Sequence, residues 1–233
     1  MDPTIEKVKA LVEKIQEKIK QLWEAIKSAL SKIPGYLAWI RDRVVDGWNY
    51  FTKKMNEAWV WLLDKLAYAG DPIALRKAAL QWTTIVGSSA GKAADTLTAG
   101  QMAVDDEWEG DGADQYRQKL PDQRSALDSI KTDYAAMSSA GLDTAQHGIT
   151  VFWGAVVVAL AGLVGGIVGA AATSATIFGL PAAPFVAGAG VAVFLAAGVA
   201  GVHALTANMS SARLKFESAA SFGVSAWPSF AMP

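Results

Sequence analysis

Residues 149–172, ITVFWGAVVVALAGLVGGIVGAAA, and residues 182–205, AAPFVAGAGVAVFLAAGVAGVHAL, decide the fold: each run is 24 residues long and holds no Asp, Glu, Lys or Arg. An α-helix rises about 1.5 Å per residue, so about 20 apolar residues cross a hydrocarbon core about 30 Å thick, and each run is long enough. The linker, Thr173 to Pro181, supplies Thr, Ser, Gly and Pro but no charge. Carrying it through lipid therefore costs far less than carrying an ionised loop. The expectation is a helical hairpin over residues 148–206 that enters a bilayer with both ends on one side, with membrane lipid as its partner.

Within the first run Gly154, Gly162, Gly166 and Ala170 lie at multiples of four, and Gly165 with Gly169 forms a further pair. In lipid, packing replaces the hydrophobic drive, and small faces let helix backbones approach closely. These six residues are the expected membrane-helix packing face, and they imply assembly with further copies or with a helical partner.

Outside the hairpin the chain changes solvent twice. Residues 1–70 carry 12 basic against 9 acidic side chains (+3), residues 71–143 carry 7 against 12 (−5), and Thr144 to Ala212 carries none of either. Over residues 1–70 apolar side chains recur in steps of three and four, from Ile5 through Val8, Val12, Ile15, Ile19, Leu22 and Ile26 to Leu30 and Ile33. Pro34-Gly35 interrupts them, and a second stripe follows at Leu37, Ile40, Val44, Trp48, Phe51, Met55, Trp59, Leu62 and Leu66. That is the period of two amphipathic helices joined as an antiparallel hairpin. Asp2-Pro3 and Asp71-Pro72 each pair an N-cap residue with a proline suited to the first helical position. Trp48 and Trp59 fall on the seam of the second helix, whereas Trp39 and Trp61 fall off it. Trp39 and Trp61, with Trp153 and Trp227, are candidates for interfacial or partner contact.

From Ile73 to Met102 a looser helical pattern leads to the acidic cluster Asp105, Asp106 and Glu107. After Gly110-Asp111-Gly112, helical spacing resumes at Tyr116, Leu120, Leu127, Ile130, Tyr134 and Met137, with Pro121 expected to kink or restart the helix. Trp108-Glu109-Gly110, followed by Ala113 and Tyr116 and set between two helical patterns, resembles the WXG100 (ESAT-6-like) family of type VII secretion proteins. The resemblance covers about residues 70–147 and implies a helical hairpin whose turn uses Trp108, Gly110, Gly112 and Tyr116. A Trp at the end of one helix covers the turn, the Gly takes a backbone angle other residues resist, and the aromatic closes the hairpin from the other side. Gly112 stands where the family usually has Ala or Ser. No tyrosine here has an acidic residue four places on, so export by such a system implies a signal-bearing WXG100-type partner.

Other chemistries find no residues to carry them. With no cysteine and two histidines, His147 and His203, neither a disulfide nor a metal site is expected. The acidic run near Asp105 lacks the alternating ligands of a calcium loop, and Gly165-Gly166 has no Lys or Thr in phosphate-loop register. No nucleophile stands with a base in a recognisable order, so the chain is not expected to be an enzyme, to hold a cofactor or to take a small-molecule substrate. The net charge of −1 argues against nucleic acid. The start lacks the basic and apolar regions of a conventional signal peptide, so any export is expected to use another route.

The sequence thus predicts an all-α protein in four parts: an N-terminal amphipathic hairpin (1–70), a WXG100-like hairpin (71–147), an apolar membrane hairpin (148–206) and a C-terminal tail (207–233). Two functional readings follow. One is a WXG100-like, type VII secretion-associated protein that anchors in a membrane and oligomerises there, up to forming a pore. The other is a soluble form in which amphipathic helices wrap the apolar hairpin until release, an arrangement that resembles colicin-type pore-forming domains.

Overall fold

The structure, a computed structural model, describes residues 3–67, 70–101, 108–176 and 179–222, and every regular element among them is helical. The all-α class with helical hairpins is therefore the class the chain adopts. Asp2, Tyr68, Met102, the Asp105 to Glu107 cluster, Trp227 and Phe230 lie outside the described residues. The chain forms two compact units, Met1–Gly70 with Ile149–Leu205, and Asp71–Gly148 with Thr206–Pro233.

In the first unit, α1 (Pro3–Leu30) and α2 (Ala38–Leu66) follow from their stripes. The buried residues of α1 are Val8, Ile15, Leu22 and Ile26, and those of α2 include Ile40, Val44, Phe51, Met55 and Leu62. Steps of four and seven keep these side chains on one face, and full burial of each contributes about 1.5–3 kcal/mol before entropy is counted. Trp23 stacks on Trp48 with centroids 4.6 Å apart, joining the two helices at the seam. Pro34 is extended (ψ 151°) and ends the first stripe, and a short 3-10 turn, Gly35–Leu37, leads into α2. The same unit takes in the apolar portions of two long helices, α6 (Ala136–Thr173) and α7 (Ala183–Phe222).

In the second unit, α3 (Pro72–Gln81) begins under Asp71, whose carboxylate accepts from the backbone N–H of Ile73 and Ala74 at 2.9 and 3.0 Å. A π-helical turn, Trp82–Gly87, joins α3 to α4 (Ser88–Thr96). Thr83 and Thr84 both donate their hydroxyls to the Leu80 carbonyl, at 3.0 and 2.7 Å, which competes with the backbone ladder where the helix widens. α5 (Asp111–Ser129) passes into a second π turn, Ile130–Ala135, and then into α6. Trp82 and Tyr134, one from each π turn, meet edge to face at 5.4 Å.

Pro121 does not restart the helix; α5 runs through it. Near residues 148 and 206, where the two compact units divide, α6 and α7 each continue between charged and charge-free sequence without a break, and residues 207–222 prolong α7. Composition changes there, but nothing in the backbone chemistry, neither proline nor a capping residue, asks the helix to stop.

Candidate functional site

The apolar parts of α6 and α7 form the candidate site. Both helices are long and apolar enough to cross a bilayer, and 44% and 33% of their most apolar stretches are buried.

At the apex the polar side chains satisfy themselves. Thr173 and Ser174 donate their hydroxyls to the carbonyls of Ala170 and Ala171 at 2.8 and 2.7 Å, and the Thr176 hydroxyl accepts from the Gly179 N–H at 3.0 Å. Bonded this way, the tip exposes less unmet polarity than its composition suggests. Below it the two helices close on each other at Gly166 and Gly190. A Cβ built on Gly166 would lie 3.2 Å from the Gly190 Cα, so a side chain there would force the backbones apart. Val156, Leu160, Leu163, Ile167, Val191 and Phe194 fill the interior around this contact.

One face of the hairpin is covered by α2 through aromatic rings seated on glycines. The Tyr50 ring lies over Gly188, whose Cβ would stand 2.8 Å from it, and the Trp61 indole lies over Gly198, where the distance would be 2.5 Å. In the reverse sense, Pro184 and Phe185 of α7 pack over Gly47 of α2, at 3.1 and 3.0 Å from a built Cβ. Trp61 also meets Phe194 edge to face at 5.6 Å and Phe152 at 6.4 Å, while Tyr50 stacks near Phe185 at 6.1 Å. The partners differ by 137 or 138 in residue number throughout (47 with 185, 50 with 188, 61 with 198), so α2 and α7 run parallel in one fixed register. Rings seated in notches that only glycine provides make this a specific interface rather than a general apolar contact.

The opposite face carries no cover. Val158 is 72% exposed and Val193 64%, and Gly154, Gly162, Gly165 and Gly169 have nothing within 4 Å of a built Cβ. Within the chain, therefore, the sequence-predicted packing face divides: Gly166 and Ala170 are packed inside, and the other four glycines look outward. Gly162 and Gly166, four residues apart, share one side of α6 by helical period, so what separates them is the close approach of the Gly190 backbone at Gly166. Trp153 is 2% exposed and set edge-on to Phe152, so its ring is committed to the chain's own interior rather than to an interface. Trp61 is occupied by α7 as described, and Trp39 remains 59% exposed.

The second unit contains the tryptophan turn. Gly110 takes φ 98° and ψ 178°, a conformation essentially confined to glycine, and its carbonyl accepts from the Asp114 N–H at 3.1 Å as α5 begins. Trp108 lies 5.8 Å from Tyr116, a Cβ on Gly112 would touch the indole at 3.4 Å, and Arg117 donates to the Trp108 carbonyl at 3.2 Å. The structure thus brings Trp108, Gly110, Gly112 and Tyr116 into one turn. On the same unit's part of α7, Arg213 donates its Nε–H to the Glu217 carboxylate at 2.6 Å, and that bond with the carboxylate's charge holds the guanidinium pKa above its ordinary value.

The functional residues that sequence reasoning missed are Gly47, Tyr50, Phe185, Gly188 and Gly198. Periodicity assigns faces within one helix but cannot show which distant helix supplies the ring for a glycine notch. Among the described residues no group of three His, Asp or Glu is placed to hold a metal. No known protein family, curated protein or solved structure matches this chain.

Proposed function

We propose that this protein inserts into a membrane through the charge-free hairpin of α6 and α7, and that α1 and α2 form a detachable cover over one of its faces. The single observation that carries the reading is the hairpin itself: two long charge-free helical stretches, sealed to each other at Gly166 and Gly190, with an outward face of valine, alanine and glycine. Contiguous apolar surface of this kind marks a lipid or protein contact.

The cover cannot accompany the hairpin into hydrocarbon. α1 alone holds ten charged side chains, and each costs about 2.5–3.5 kcal/mol at a bilayer centre. Insertion therefore requires α2 to leave α7, exchanging aromatic–glycine contacts for lipid. This favours the stored, colicin-like arrangement as the resting state and membrane insertion as the working one. The tryptophan turn supports assigning residues 71–147 to a WXG100-like module, with a type VII secretion route and a helical partner as the corresponding context. The outward glycines of α6 supply a surface for oligomers once the hairpin is in lipid.

The test is partition. Full-length protein mixed with phospholipid vesicles should pass from solution into the vesicles and then resist an alkaline carbonate wash, and complete recovery in the soluble wash after exposure to lipid would remove the proposal.

A further inference from the structure

An open surface cleft of about 340 Å³ in the second unit is lined by Ala140, Asp143, Thr144 and His147 of α6 and by Asn208 and Lys215 of α7. Its volume lies in the range of small-ligand sites. Lys215 reaches across to α6 and donates to the Thr144 hydroxyl at 2.7 Å and the Ala140 carbonyl at 3.4 Å, both neutral oxygens. Asp143 lines the same cleft, yet it forms no ion pair with Lys215 or with any other described residue. One positive and one negative charge thus share a cleft without neutralising each other.

Sequence position adds a second observation. Asp143 is the last charged residue before the charge-free stretch, and Lys215 follows two residues after its return at Arg213. If the hairpin enters lipid, residues at this boundary stand at the depth of the headgroups.

We infer that this cleft binds the zwitterionic phosphoethanolamine headgroup of a phospholipid, its phosphate on Lys215 and its primary ammonium on Asp143; the inference rests on the membrane reading above. A bare phosphate would meet the Asp143 carboxylate, and a divalent cation would find only that one carboxylate. A choline headgroup is disfavoured because its quaternary ammonium donates no hydrogen bond and seeks the faces of Trp, Tyr or Phe, none of which line the cleft.

The experiment compares flotation of the full-length chain on vesicles of phosphatidylethanolamine with phosphatidylglycerol and on vesicles of phosphatidylcholine with phosphatidylglycerol, at equal anionic fraction. Soluble glycerophosphoethanolamine and inorganic phosphate serve as competitors. The wild type should prefer ethanolamine vesicles by about fivefold or more, and glycerophosphoethanolamine, not phosphate, should remove the preference. Asp143→Asn, an exposed and structurally mild change, and Lys215→Met should each abolish the preference while flotation persists. Arg213→Gln, outside the cleft, should lower binding to both compositions alike. Equal flotation on both vesicle types, or a preference that survives Asp143→Asn, overturns the headgroup assignment and leaves insertion standing. Binding of glycerophosphoethanolamine without flotation on any vesicle overturns the lipid source and the membrane reading together.

Discussion

Trp61 and Gly198 hold the cover to the hairpin, and altering them separately and together measures that hold. Trp61→Ala removes a half-buried ring that touches Phe152, Phe194 and the Gly198 backbone. Complete burial of such a ring would make the substitution cost about 3–5 kcal/mol. With partial exposure discounted, about 2–3 kcal/mol remains, which raises the population of the uncovered state about 30- to 140-fold. Gly198→Ala acts from the other side: its Cβ would stand 2.5 Å from the indole, forcing the ring out at a cost of about 1–3 kcal/mol. Because the new methyl enters space the ring occupied, the double variant should be more stable than the sum of the single effects, by about 1–2 kcal/mol. Hydrogen exchange of the α2 amides reads the opening directly, since local opening sets their rate. Unchanged α2 exchange in Trp61→Ala, or strict additivity in the double variant, would refute the notch-and-ring account.

Three further perturbations separate the parts of the molecule. Val158→Lys lies on the uncovered face at 72% exposure, so it should change folding by no more than about 0.5 kcal/mol. In vesicle flotation the same change should weaken insertion by about 2.5–3.5 kcal/mol, and normal flotation would place this face away from lipid. Asp71→Ala removes the acceptor for two N–H groups and should cost about 1 kcal/mol, seen as faster exchange confined to the first turn of α3. Gly110→Ala forces a side chain onto φ 98° and should cost about 1–3 kcal/mol, measured as local loss of protection at the start of α5; equal protection would deny the turn its strain.

Much of the fold was legible in the chain because period and capping are local. The stripes through Ile15 and Phe51 became buried faces, and Asp71-Pro72 became a helix start. Continuity of α6 and α7 across the change in composition was not legible, because a helix responds to backbone blockers while composition reports solvent. Pro121 does not restart the helix for a related reason: the missing N–H and the clash with the preceding turn are a finite cost, which the rest of α5 absorbs. The candidate site was legible as a hairpin but not as a covered one. Gly188 and Gly190 are two residues apart, yet one receives Tyr50 and the other faces Gly166, a division of labour set only when three helices meet. Trp153 carried an interfacial expectation because tryptophan is amphipathic, but burial beside Phe152 took precedence.

A reversible tether between α2 and α7 tests the central claim most directly. A Cβ at Gly47 would lie 3.1 Å from the Pro184 Cβ, close to the roughly 3.5–4.5 Å a disulfide spans, and the chain has no cysteine of its own to interfere. In Gly47→Cys with Pro184→Cys, the reduced protein should float with vesicles and resist carbonate extraction, and the oxidised protein should remain in solution until reductant is added. Equal integration of the oxidised form would contradict the cover, and failure of both forms to integrate would contradict the membrane hairpin itself.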